Sequence, residues 1–182
     1  MIRSVCVFCA SSEFAADSFK KIAYDLGKRL ANEEINLVFG GASIGLMGCV
    51  ASGVRDGGGR VTGVLPHFFM GKGIVYAEMD EVIVTKNMRE RKAIMDQHSE
   101  AFIALPGGIG TLEEVIEILS LLQLKQTAKP LILINTHDFY RELINLFEKM
   151  IRLKFAKPNA MDLFHLAKDS ASAVETLKAG YR

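Results

Sequence analysis

Residues Pro106-Gly107-Gly108-Ile109-Gly110-Thr111-Leu112-Glu113-Glu114 bring an anion cradle and two carboxylates into one short run. Glycines let the main chain approach a ligand closely, and a helix start points free N–H groups and a partial positive charge at it. Thr111 and Glu114 stand at the spacing of a capping box, with Thr111 as N-cap and Glu114 reaching back from the third helical position. Glu114 reads equally as a reacting group. A carboxylate that only caps would repel the anion the loop is built for, and a ribose between phosphate and carboxylate removes that conflict.

A second constellation is Met88-Arg89-Glu90-Arg91-Lys92. Its cations belong to a solvated face or to a site, and at a helix start they oppose the dipole, so they need a reason. Arg makes bidentate contacts to phosphate or carboxylate, whereas Lys is a movable point charge. If Arg91 points to the same edge as Glu114, the two hold a phosphoribosyl group from opposite sides.

The elements that must position these residues alternate. Apolar runs at Ile2 to Cys9, Ile35 to Phe39, Arg60 to Leu65, Glu81 to Thr85, Ala101 to Leu105 and Leu131 to Asn135 read as strands. Helical periodicity covers Glu13 to Asn32, Gly45 to Arg55, Met88 to His98, Leu112 to Lys125 and Asp138 to Leu153. Leu163 to Ala167 and Ser170 to Lys178 close the chain, and residues 67 to 80 are irregular. Strands that are near-continuous apolar runs, alternating with helices, predict a parallel sheet covered on both faces. The expected fold is a single doubly wound, Rossmann-like α/β domain over residues 1–182. Ligands bind such sheets outside the carboxyl ends of the strands, where strand order reverses. Three loops meet that edge: Ala10-Ser11-Ser12, Gly40-Gly41 to Gly48, and Pro106 to Thr111.

Several ligand classes are excluded. No G-x-G-x-x-G follows the first strand, no acid ends the second, and there is no Walker Gly-Lys-Ser/Thr, so a mononucleotide or sugar phosphate fits better than NAD or ATP. The formal net charge of +1, with Lys and Arg scattered among acids, argues against nucleic acid. No run is long enough for a membrane span, and the first residues read as a strand rather than a signal peptide, so a cytoplasmic protein is expected. Cys6 and Cys9 form a C-x-x-C, but residues three apart in a strand face opposite ways, and no zinc-protease pattern accompanies them. They read as core residues, and no metal site is expected.

Met88, Arg91 and Lys92 as M-x-x-R-K, with Pro106 to Glu114 as P-G-G-x-G-T-x-x-E, make the chain resemble the LOG family. These are the cytokinin riboside 5′-monophosphate phosphoribohydrolases, long called lysine decarboxylases. The resemblance extends through Cys6 to Ser12, Gly40-Gly41 to Gly48 and Phe102 to Leu105. It implies cleavage of the N-glycosidic bond of an N6-modified AMP, or AMP, to base and ribose 5-phosphate, by a homodimer without metal or organic cofactor. It makes Glu114 and Arg91 the catalytic pair, the latter for charge stabilisation because Arg does not readily release a proton. It gives Gly107, Gly108, Gly110 and Thr111 to phosphate with help from Lys92, sets Met88 near the base, and adds Ser11, Gly40, Gly41 and Pro106 to the binding loops. Ile109 stands where plant members usually have Tyr, and His67-Phe68-Phe69 follows Pro66 where they carry an acid. Residues 67 to 80 are expected to border the base pocket. The rival reading is a non-catalytic nucleotide or molybdenum-cofactor carrier on the same scaffold, which need not keep Arg91 and Glu114 together.

Overall fold

Alternate residues of the first strand point to opposite sides of a sheet, and both sides are buried. In the computed structural model, which describes residues 2–179, β1 (Ser4–Phe8) sends Val5 and Val7 into one apolar layer and Cys6 and Phe8 into the other. Cys9 joins the layer opposite Cys6, so the two thiols lie on different faces, as their spacing requires. Residues 1 and 180–182 of the expected domain span lie outside the described residues.

The other strands are β2 (Asn36–Phe39), β3 (Val61–Pro66), β4 (Glu81–Thr85), β5 (Ala101–Ala104), β6 (Leu131–Ile134) and β7 (His165–Ala167). All neighbouring pairs are parallel, in the order β4-β3-β2-β1-β5-β6-β7. Strand order reverses between β1 and β5. The interior strands are buried except at the starts of β1 and β2, where Ser4 is half-buried and Asn36 exposed, whereas edge strand β4 exposes Val82 and Val84.

Helices α1 (Asp17–Asn32), α2 (Gly45–Asp56) and α6 (Ser170–Ala179) cover one face, through Leu26, Leu30, Val50 and Val174 among others. Helices α3 (Met88–Gln97), α4 (Ile109–Gln123) and α5 (Arg141–Arg152) cover the other, through Met95, Val115, Leu119 and Phe147. Helices on both faces of a parallel sheet are what the buried apolar strands demanded. Among the described residues, no helix is long and apolar enough to cross a membrane.

Three helix starts differ from the periodicity. Helix α1 begins at Asp17 rather than Glu13, and α5 at Arg141 rather than Asp138, where Asp138 holds φ 57°. Helix α4 begins at Ile109, three residues before the first of its periodic apolar positions. Gly108 is its N-cap, with no side-chain cap bond, so neither Thr111 nor Glu114 serves a capping box there. The box-like arrangement is instead at α3: Asn87 accepts from the Glu90 backbone N–H, and the Glu90 carboxylate accepts from that of Lys86.

Helices α1 and α2 touch backbone to backbone. A Cβ on Gly53 would lie 2.1 Å from the Tyr24 carbonyl oxygen. Gly53→Ala is therefore expected to cost about 2 kcal/mol or more by forcing the helices apart. An unchanged urea-unfolding midpoint would refute that contact.

Candidate active site

Chain leaving β1, β2 and β5 forms one cavity of about 400 Å³ at the carboxyl edge of the sheet, beside the β1/β5 reversal. Ser11, Gly40, Met88, Arg91, Gly108, Gly110, Thr111 and Glu114 all line it. The other four expected residues do not. Pro106 is buried, and its carbonyl accepts from the Ala10 N–H, tying the β5 loop to the β1 loop. Gly107 packs so close to Thr111 that a Cβ would meet the threonine hydroxyl at 2.1 Å. Gly41, at φ 78°, turns the chain so that its carbonyl accepts from Tyr76 N–H at 2.9 Å. Lys92 points to the far side of α4 and pairs with Glu113 and Glu117.

Arg91 and Glu114, 23 residues apart, form a buried ion pair with Nη1 donating to Oε1 at 3.0 Å. Each is 5% exposed. Arg91 Nε donates to the Val64 carbonyl within β3, also at 3.0 Å, so the guanidinium is fixed at two points. Gly40 makes room for it: a Cβ there would sit 2.1 Å from Arg91 Nη2. Burial raises the Glu114 carboxyl above its ordinary range, while the Arg91 charge and hydrogen bond pull it back down. Burial likewise pushes the Cys6 and Cys9 thiols up, leaving them poor nucleophiles.

The starts of α2, α3 and α4 all reach the cavity, through Met47, Met88 and Gly110, and they differ in how their N–H groups are used. At α2, the Leu46 and Met47 N–H groups are spent on the Ala10 carbonyl, at 2.9 and 3.3 Å. At α4, Gly108, Gly110 and Thr111 line the cavity, and the first N–H groups of a helix have no partner within it. At α3 the Asn87 side chain takes the Glu90 N–H, so of the three loops expected to cradle an anion, the one at the start of α4 lines the cavity with residues whose N–H groups are not used for capping. Glu114 lies five residues past Ile109, about 7–8 Å further along the axis at 1.5 Å per residue.

The opposite wall is apolar, formed by Met47, Leu65, Phe69 and Ile74 with Met88. Phe69 and Ile74 place the 67–80 segment at the cavity, as expected. Ser43 N–H donates to the Ile74 carbonyl at 2.7 Å, and Ala42 and Val75 form an antiparallel bridge. Nothing periodic announced these wall residues, because a long-range backbone bridge positions them. Asn87 did leave a signal, the N-x-x-E of Asn87 to Glu90.

A family model described as possible lysine decarboxylase matches residues 47–177. The chain is 45% identical over 97% of its length to a probable cytokinin riboside 5′-monophosphate phosphoribohydrolase of Oryza sativa subsp. japonica, covering 78% of that protein. It is 41% identical, over 97% of its own length and 78% of the relative's, to a cytokinin riboside 5′-monophosphate phosphoribohydrolase of Arabidopsis thaliana. Among solved structures, the molybdenum cofactor binding protein of Rippkaea orientalis matches with a TM-score of 0.75 and 27% identity, over 98% of this chain and 97% of that one. The molybdenum cofactor carrier protein of Chlamydomonas reinhardtii matches with a TM-score of 0.72 and 27% identity, over 98% of each. The span of the family match and the identity to the plant enzymes place this chain in the LOG family, the one its model describes as possible lysine decarboxylases.

Proposed function

We propose that the protein hydrolyses the N-glycosidic bond of a purine nucleoside 5′-monophosphate, an N6-modified AMP such as isopentenyladenosine monophosphate or AMP itself. The observation that carries this reading is the buried Arg91–Glu114 pair set beside the open start of α4 in one cavity. The identity to the plant phosphoribohydrolases supports the same chemistry. The phosphate sits on the N–H groups of Gly108, Gly110 and Thr111, the ribose lies along Glu114, and the base rests against Met47, Ile74 and Met88, with Ser11 and Gly40 completing the loops. As the C1′–N9 bond breaks, positive charge develops on the ribose, and the Glu114 carboxylate stabilises it and orients a water. That water delivers hydroxide to C1′, and its proton ends on the departing base. Arg91 holds Glu114 in place and balances its charge.

A lysine decarboxylase needs a pyridoxal-binding lysine, and among the described residues none lines the large cavity. The likeness to molybdenum cofactor carriers favours a second reading, binding without turnover. Chromatography of the released base decides. Free adenine or isopentenyladenine is expected from the monophosphates and none from the nucleosides, whereas intact nucleotide after long incubation leaves the carrier. The protein acts in the cytoplasm as a homodimer of single-domain subunits on a small molecule, without metal or organic cofactor, nucleic acid or membrane. The near-neutral net charge supports the absence of a polyelectrolyte partner.

A further inference from the structure

Lys92 follows Arg91 on α3, yet the two side chains leave in different directions. Arg91 enters the large cavity, while Lys92 borders a second cavity of about 130 Å³ on the other side of Glu114, lined also by Phe8, Asp96 and Glu117. The Lys92 side chain is 13% exposed, and its ammonium lies between Glu113 Oε1 and Glu117 Oε2. Burial alone would lower its pKa, but pairing with the two carboxylates overcomes that and raises it, so the charge is secure. Successive cations of α3 therefore meet the acidic run of α4: Arg91 takes Glu114, and Lys92 takes the glutamates one before and three after it.

We propose that Lys92 is a positioning residue whose ammonium, held between Glu113 and Glu117, fixes α4 against α3 so that Glu114 stays aligned with Arg91 and faces the large cavity. This rests on the catalytic reading of Glu114 and replaces the expectation that Lys92 touches phosphate. To reach the start of α4, the ammonium would have to abandon both carboxylates. Its second effect is electrostatic. Glu114 is faced by Arg91, Lys92 and Asp96 from α3, by Glu113 and Glu117 on its own helix, and by Cys6 within β1 and Cys9 just past it. Asp96 is already paired with Lys129 at 2.7 Å. Lys92 is what neutralises the flanking glutamates, and without it their repulsion makes Glu114 harder to ionise.

Lys92→Met is expected to lower kcat by about 10–100-fold with KM within about threefold, because misalignment costs turnover rather than binding. The acid limb of the kcat profile should move to higher pH, and Lys92→Arg should recover most of both. A large rise in KM with kcat held would overturn the proposal, since it means contact with substrate. Unchanged kcat and limb would overturn it too. If the Met variant does not fold, Glu117→Gln decides: removing one flanking charge should move the limb to lower pH, and an unmoved limb refutes the clamp. ¹³C-carboxyl NMR of Glu114 reads the same shifts without turnover. If wild-type protein hydrolyses nothing but the Glu114 titration moves as stated, the functional reading alone fails.

Discussion

Glu114→Gln is expected to lower kcat by about 10³-fold while leaving a folded protein that binds nucleotide. Gln keeps the shape and an oxygen for the Arg91 hydrogen bond, so the loss isolates the negative charge. The structure removes the competing explanation, since α4 is capped by Gly108 and Glu114 lies beyond its first turn. Near-normal activity in this variant would end the catalytic role.

The pH dependence carries the same signature. Burial raises the Glu114 carboxyl above its usual 4.5, against the pull of Arg91. If the ionised form works, activity is lost as pH falls through that raised value, giving an acid limb above the ordinary carboxylate range. The stability effect has the opposite sign. A raised pKa in the folded state means the folded protein holds the proton more tightly than the unfolded chain. This group's contribution is full below the unfolded pKa and is lost as pH rises through the folded one. Mild acid should therefore silence the enzyme without Glu114 itself contributing to unfolding, and a pH profile set beside urea melts at each pH checks this.

Gly40→Ala is expected to reduce kcat by about 10²-fold through Arg91, although Gly40 bears no reacting group. The new Cβ would lie 2.1 Å from Arg91 Nη2 and 3.1 Å from Met47 Sδ. An exposed arginine would swing aside, but this one is held by Val64 and Glu114, so displacement breaks one of those bonds. Circular dichroism should stay native, since Gly40 lies just past the end of β2 and its φ is not in the left-handed region. In the Glu114→Gln background the same change should add little, because both act on one pair. Full additivity, or an unaffected kcat, would contradict this arrangement.

Much of this was legible beforehand for a physical reason. Apolar runs such as Ala101 to Leu105 can only be buried on both faces, and Cys6 and Cys9 can only face apart within one strand. Loops at the carboxyl ends of parallel strands must share an edge, so Ser11, Gly40 and the Gly108 to Thr111 turn were bound to meet. Thr111 and Glu114 misled because the capping-box spacing is correct while the helix starts one turn earlier. Lys92 and Arg91 look alike as adjacent cations in sequence and part company only where a neighbouring helix supplies Glu113 and Glu117 to Lys92.

Periodicity within a few neighbours is enough to set the layers, the edge where the three loops converge and the residue types available there. Tertiary structure decided which partners those residues take. Arg91 meets Glu114 across 23 residues and leans on β3. Ala10 closes the start of α2 and leaves that of α4 open. The 67–80 segment becomes an apolar wall by bridging to Ala42. Each of these is a contact between distant parts of the chain, and its geometry exists only once the sheet has set the spacing.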